Sequence, residues 1–297
     1  MPASPDDSPI PTEAGRDSPS LEPGLYVVST PIGNLRDITL RALDVLAQAD
    51  LVLAEDTRVA RKLFAAYGLS PARLLAYHDH AAEEAGANAL AALAAGRRVA
   101  LISDAGTPLV SDPGFPLVRA ALEAGAAVRS APGASALLAA LACCGLPTQP
   151  MLFAGFPPPR SAARRSFLAR FAAVEATLVF YESGPRLAVC LADMALAYGP
   201  RPAALCRELT KLFEEVRRGP LDALARQAPE AESRGEHVVV IGPPPPAQPP
   251  DAAAIQHALR ESLRTCSLKD AVRAVADDLG APRRDVYALA LALRDQP

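Results

Sequence analysis

From Gly24 onward the chain alternates short apolar, β-favouring runs with longer stretches in which apolar side chains recur every three to four positions. The first kind predicts strands over Leu25–Thr30, Leu51–Ala54, Leu74–Tyr77, Val99–Ser103 and Ala127–Ser130. The second predicts amphipathic helices between them, such as Ile38–Gln48 with Asp37 as N-cap, and Thr57–Tyr67 ended by Gly68. Such alternation implies a parallel sheet, because a helix must carry the chain back between strands that run the same way. The proline-rich stretch Gly155-Phe156-Pro157-Pro158-Pro159 breaks the pattern and joins two lobes. A second α/β region follows, with strands near Thr177–Glu182, Ala203–Glu208, Glu214–Arg218 and His237–Ile241.

Beyond it Pro243–Pro250 reads as a stiff, extended linker. Three helical segments come after, near Ala252–Arg264, Leu268–Leu279 and Arg283–Leu293; Gly280-Ala281-Pro282 separates the last two, as in a helix-turn-helix bundle. Residues 1–22 repeat Pro, Ser and Asp without a period and hold little that packs, which predicts a disordered tail. The expected class is α/β: an N-terminal domain over 23–135, a second over 136–242, the linker 243–250 and a helical C-terminal domain over 251–297.

Composition narrows this further. Half the residues are hydrophobic but 5% are aromatic and none is Trp, which favours helices packed on a sheet over an aromatic-rich sandwich. The net charge of −3 argues against a broad nucleic-acid-binding surface. Residues 1–22 carry five acids against one base, Arg16, so the rest of the chain stands at +1 and any polyanion site must be a local patch. The five cysteines form no C-x-x-C pair, which suits reduced, buried thiols in the cytoplasm. The longest apolar run, near Ala134 to Gly145, is too short to cross a bilayer, and the N-terminus lacks the basic and apolar regions of a signal peptide.

Candidate chemistry gathers in three loops, each following a predicted strand: Ser29-Thr30-Pro31-Ile32-Gly33-Asn34-Leu35, the longer Ser103 to Gly114, and Ala131-Pro132-Gly133-Ala134-Ser135. Open α/β sheets bind ligands at the carboxyl ends of their strands. Glycine admits close backbone approach, proline fixes a turn, and Asp104 can accept from a ribose or an ammonium group. Any one loop could be a tight turn made by turn formers; three together point to a ligand. Neither G-x-G-x-x-G nor G-x-x-x-x-G-K-[ST] occurs, which argues against an ordinary dinucleotide fold or a P-loop.

These residues carry a resemblance. Thr30-Pro31-Ile32-Gly33-Asn34-Leu35-Arg36-Asp37-Ile38-Thr39, Ala54-Glu55-Asp56-Thr57-Arg58, His78-Asp79-His80, Ser103-Asp104-Ala105-Gly106-Thr107-Pro108, Phe180-Tyr181-Glu182-Ser183 and Arg207-Glu208-Leu209-Thr210-Lys211 resemble the ribosomal RNA small subunit methyltransferase I family. The similarity runs from about Gly24 to about Leu293 and includes the segment around Ser267-Leu268-Lys269-Asp270-Ala271. It implies a two-lobed tetrapyrrole-methylase-like fold, with S-adenosyl-L-methionine between the lobes of a homodimer. The implied activity is 2′-O-methylation of a cytidine in the decoding region of small-subunit (16S) ribosomal RNA, in the assembled 30S particle. The family pattern continues Phe-Tyr-Glu-Ser with a variable residue and His-Arg-Leu; here Gly184 and Pro185 precede Arg186, so that His has no counterpart.

On this reading the donor is expected against Pro31, Gly33, Asp104, Ala105, Gly106, Thr107, Gly133, Ala134 and Ser135. Glu55, Asp56, Asp79, Glu182 and Glu208 are the carboxylates that could accept a proton, and the sequence does not rank them. Asp56 or Thr57 could equally cap the next helix. His78 and His80 could share a strand face, but a metal needs a third ligand, and His237 and His257 have no matching spacing; no metal is expected. Arg160, Arg164, Arg165 and Arg170 lie in eleven residues without an acid, and either face solvent or grip RNA phosphates; Lys211 joins the RNA-contact set. The segment 251–297 has seven bases and seven acids, so it is no polybasic arm. Two rival readings are a methyltransferase for a tetrapyrrole precursor and a non-catalytic RNA-binding assembly factor.

Overall fold

Short apolar strands returned by helices make the first sheet parallel throughout. In the computed structural model, which describes residues 20–78, 81–228, 235–245 and 251–294, the chain runs β1 (Gly24–Val28), α1 (Leu40–Gln48), β2 (Leu51–Ala54), α2 (Thr57–Ala66), β3 (Leu74–Ala76), α3 (Ala82–Ala94), β4 (Arg98–Ile102), α4 (Phe115–Glu123) and β5 (Val128–Ala131). The strand order is β3-β2-β4-β1-β5. Side chains of a strand alternate between faces. Tyr26, Val28, Val52, Ala54, Ala100 and Ile102 therefore pack to one side with residues of α1 and α2. Leu25, Leu51, Leu53, Val99 and Leu101 pack to the other with residues of α3 and α4. Both faces are covered, which is why these strands read as continuous apolar runs.

The second sheet is built differently. After α5 (Ala136–Cys144) come β6 (Met151–Gly155), α6 (Ser161–Ala169), β7 (Thr177–Ser183), α7 (Leu187–Tyr198), β8 (Pro202–Arg207), β9 (Glu215–Pro220), α8 (Leu221–Arg226) and β10 (Glu236–Ile241). Their order is β6-β7-β10-β8-β9. Only β6 and β7 run parallel; β10 is antiparallel to both β7 and β8, and β9 to β8. One face packs Leu178, Phe180, Leu205 and Val239 against α7 and α8. On the other, Val179, Ala204, Cys206 and Val240 meet Ala140 and Leu141 of α5, and Ile32 from the loop after β1 joins the same cluster. Burying each large side chain of these cores contributes about 1.5–3 kcal/mol.

The chain divides into two compact units, one ending at Pro244 and one beginning at Pro245. In the second, α9 (Ala252–Ser262), α10 (Leu268–Leu279) and α11 (Arg283–Arg294) pack around Ile255, Leu259, Val272, Val275, Val286 and Ala290. Gly280, at φ +63°, ends α10 in the left-handed conformation that a side chain would disfavour.

Local expectations need three corrections. The N-cap of α1 is Thr39, whose hydroxyl accepts from the Ala42 amide at 3.1 Å; Asp37 lies in a short 3-10 turn instead. Of the two residues that could cap α2, Asp56 is the one that does. The strand β6 was not expected, since its five residues run directly into the proline-rich break. Because β6 belongs to the second sheet, the stretch Gly155–Pro159 lies within the second lobe rather than joining the two. The tail up to residue 19, Asp79, His80 and linker residues 246–250 lie outside the described residues.

Candidate active site

Four strand ends of the first sheet deliver its loops to one place. Thr30 and Gly106 exchange backbone hydrogen bonds, Thr30 amide to Gly106 carbonyl at 2.8 Å and the reverse at 3.1 Å. The hydroxyls of Ser29 and Thr107 lie 2.9 Å apart, and Thr107 donates to the Ala134 carbonyl at 3.3 Å. Asp104 accepts from the Asp56 amide at 3.0 Å, which ties the end of β4 to the end of β2. The loops after β1, β2, β4 and β5 are thus one hydrogen-bonded unit.

That unit and the facing ends of β7, β8 and β10 enclose a cavity of about 390 Å³. Glu55, Asp104, Ala105, Gly106, Thr107 and Ser135 line it from the first lobe, and Glu182, Glu208 and Lys211 from the second. The structure therefore brings together three of the expected proton acceptors, Glu55, Glu182 and Glu208, with most of the expected donor loops. Pro31, which is buried, and Gly33, Gly133 and Ala134 are not among the residues that line the cavity. A Cβ on Gly133 would sit 3.0 Å from that of Ser29, so this glycine lets the third loop lie against the first. Gly106 holds φ +80°, a conformation glycine adopts without strain.

Several lining residues were not expected in the cavity: Asp112, Phe156, Tyr181, Glu236 and His237. Asp112 sits within a loop already recognised, but its surroundings come from strands distant in sequence. Burial, reinforced by repulsion from Glu55, pushes its carboxyl up to about 6. Burial likewise raises Asp104. For His237 burial, helped by Arg207, favours the neutral ring. Tyr181 accepts from the Leu137 amide at 3.1 Å and packs edge-on against Phe153 and Phe156, with centroids 4.8 and 5.5 Å away.

Other candidates prove to be structural. Asp56 accepts from the Arg58 amide at 2.7 Å and pairs with its guanidinium at 2.6 Å, which places it at the cap of α2 rather than in the cavity. Arg164 is 3% exposed: it pairs with Asp193 at 2.7 Å and donates to the Pro159 carbonyl at 2.9 Å, so it is not available to phosphate. This corrects its expected role; the α6 turn that carries it points inward. Arg160 and Arg165 are exposed, although Arg165 also reaches Asp193 at 2.7 Å. Arg170 lies over the rings of Phe167 and Phe171. Lys211 is held between Glu208 at 3.1 Å and Glu236 at 3.0 Å, at the cavity wall rather than on an open basic surface.

The donor set selects among ligands. Glu55, Asp104 and Asp112 give the first-lobe wall a concentration of carboxylates, which repels phosphate and suits a ligand bearing positive charge and hydroxyl donors. Ile32, Val110 and Ala136 supply apolar surface for a flat ring. S-Adenosylmethionine, with its sulfonium, ammonium, ribose and adenine, fits this combination. Among the described residues no group of three or more metal-ligating side chains occurs, and no helix is long and apolar enough to cross a membrane.

Known proteins supply the context. Residues 24–225 match the Tetrapyrrole (Corrin/Porphyrin) Methylases, and residues 249–294 match the RsmI C-terminal HTH domain. The chain is 49% identical to the ribosomal RNA small subunit methyltransferase I of Mesorhizobium japonicum, over 93% of this chain and 94% of that one. It is 41% identical to the protein of the same name from Escherichia coli O157:H7, over 90% of this chain and 94% of that one. Among solved structures, the uroporphyrin-III C-methyltransferase of Thermus thermophilus complexed with S-adenyl homocysteine aligns with a TM-score of 0.53 at 23% identity. It covers 74% of this chain and 97% of its own, a likeness of fold. With two sheets facing one cavity and family matches on both compact units, the chain belongs to the ribosomal RNA small subunit methyltransferase I family, on a tetrapyrrole methylase fold.

Proposed function

We propose that this protein transfers a methyl group from S-adenosylmethionine to the 2′-oxygen of a cytidine in the decoding region of 16S ribosomal RNA. It acts in the cytoplasm, as a homodimer, on the assembled 30S particle. The observation that carries this reading is the carboxylate-lined wall at the carboxyl ends of the first sheet, joined to the family match.

When bound, S-adenosylmethionine supplies an electrophilic methyl on a sulfonium that leaves as a neutral thioether. The chain's own work is placement. Asp104, Gly106, Thr107 and Ser135 hold the donor on one wall, and the second lobe presents the acceptor opposite. Fixing two reactants in line replaces a bimolecular encounter with an oriented one, worth up to about 7–11 kcal/mol of barrier. Phe156 is 52% exposed at the cavity mouth and is steadied by Tyr181, which suits it to stack on an unpaired base. The near-neutral charge of the body fits recognition of a shaped RNA site through a limited patch, with Arg160 and Arg165 as its exposed cations.

The test is labelled methyl transfer to small subunits from a strain lacking the enzyme, followed by alkaline hydrolysis. A methylated 2′-oxygen cannot attack the adjacent phosphate, so that linkage survives as a labelled dinucleotide. Label on a base, with every linkage cleaved, overturns the ribose assignment. Label on a porphyrinoid instead of RNA overturns the substrate.

A further inference from the structure

A hydroxyl that attacks a sulfonium must lose its proton, and an acceptor with a pKa near the working pH does this best. Most carboxylates around the cavity are already committed. Glu182 is 1% exposed, accepts from the Ser183 amide at 2.8 Å and lies 3.2 Å from the Arg186 guanidinium. Glu208 holds Lys211 and accepts from the Glu236 amide at 3.0 Å, and Glu236 holds the same lysine. Asp104 is bound by the Asp56 amide, and Glu55 accepts from the Asp104 amide at 3.5 Å.

Asp112 differs. None of the ion pairs among the described residues involves it. The groups that act on it are Glu55 from the end of β2, Ser103 and Asp104 from the end of β4, and Tyr181 from β7. None of these is a cation. The loop that holds it is strained: Leu109 and Ser111 have φ of 73° and 71°, left-handed values that non-glycine residues adopt at a cost and that cluster at functional sites. A Cβ on Gly155 would stand 3.3 Å from the Ser111 hydroxyl, so this loop abuts the end of β6, next to Phe156. Asp112 thus stands where the carboxylate wall meets the aromatic side of the cavity.

We infer that Asp112 accepts the proton of the attacking hydroxyl, an inference that rests on the methyl-transfer reading above. The O–H proton passes to the Asp112 carboxylate as the O–CH3 bond forms and the C–S bond breaks, with the electron pair left on sulfur. The carboxylic acid then returns its proton to water. A carboxyl raised to about 6 by burial and by Glu55 is a stronger base than an ordinary aspartate and is still largely ionised at neutral pH.

The experiment uses full-length protein, small ribosomal subunits as acceptor, and the variants Asp112→Asn and Asp112→Glu. The turnover rate of Asp112→Asn should fall at least about 100-fold, with partial recovery in Asp112→Glu. Calorimetric affinity for S-adenosylhomocysteine should stay within about twofold of wild type, a change of less than ~0.5 kcal/mol. The wild-type rate should fall on acidification through pH about 6, and the Asp112 carboxyl carbon in donor-free protein should titrate there by NMR. An Asp112→Asn enzyme of wild-type rate, or one whose donor affinity drops about tenfold, overturns the assignment, the latter by making Asp112 a donor ligand. A wild-type protein that methylates no small subunit overturns the substrate reading and this inference with it.

Discussion

The methylene stem of Lys211 lies across Gly33, so the first loop of one lobe and the turn after β8 of the other meet where glycine has no side chain. A Cβ at position 33 would overlap the Cγ of Lys211, whose ammonium is held by Glu208 and Glu236 and cannot simply swing away. Gly33→Ala should therefore weaken S-adenosylmethionine binding several-fold, and adding Lys211→Ala should restore much of the loss. A calorimetric double-mutant cycle checks this; additive losses would show that the contact does not couple the two residues.

The donor loops give the second prediction. Gly106→Val forces a β-branched residue to φ +80°, and Asp104→Ala removes the acceptor that joins the ends of β2 and β4. Each should cost at least about tenfold in donor affinity, ~1.4 kcal/mol, with the far-ultraviolet spectrum unchanged. Wild-type affinity in both would refute the placement of the donor.

The arginines of α6 separate by burial. Arg164→Gln leaves Asp193 buried beside a weaker partner and should lower folding stability by about 3–5 kcal/mol in denaturant titration. Replacing Arg160 and Arg165 by Gln should cost less stability than that, because Arg164 still holds Asp193, but should weaken RNA binding and flatten its salt dependence. An unchanged salt slope would make them solvent-facing residues only.

Phe156→Ala should weaken RNA binding by about 1–3 kcal/mol, the usual worth of one stacked base, and leave donor affinity alone. Equal RNA affinity in filter binding would remove the stacking role.

Acid stability should depend on Asp50. The Arg98 side chain, at 2.9 Å, holds the Asp50 carboxyl down from its ordinary 3.8 to about 2. A depressed carboxylate stabilises the fold above its unfolded pKa and stops doing so as pH falls, here through the window from 3.8 to about 2. Asp50→Asn should therefore cost roughly 1 kcal/mol at neutral pH, allowing for partial exposure, and the difference from wild type should vanish by pH about 2. Parallel thermal melts across that range provide the measurement.

Much of this was legible in local pattern. Strand β2 and helix α10 have the bounds their periodicity predicts, because their apolar positions satisfy one geometry without help from distant residues. The glycine- and proline-rich loops were readable for the same reason: a turn's backbone needs are met by residue types at adjacent positions. Asp112 and His237 were overlooked as cavity residues, since nothing beside them in the sequence sets them apart. Their chemistry comes first from burial, reinforced by Glu55 and Asp104 in one case and by Arg207 in the other.

The sequence alone determined the parallel first sheet, the loops at its carboxyl edge and the family, because periodicity, turn chemistry and motif residues are properties of neighbours along the chain. Only the tertiary structure decided that Arg164 turns inward to Asp193 while Arg160 faces water, and that the second sheet is mainly antiparallel. It alone decided that Asp112 stands among carboxylates with Tyr181 opposite. Burial and electrostatic environment depend on what the fold brings within a few ångströms, and those partners are set by packing rather than by position in the chain.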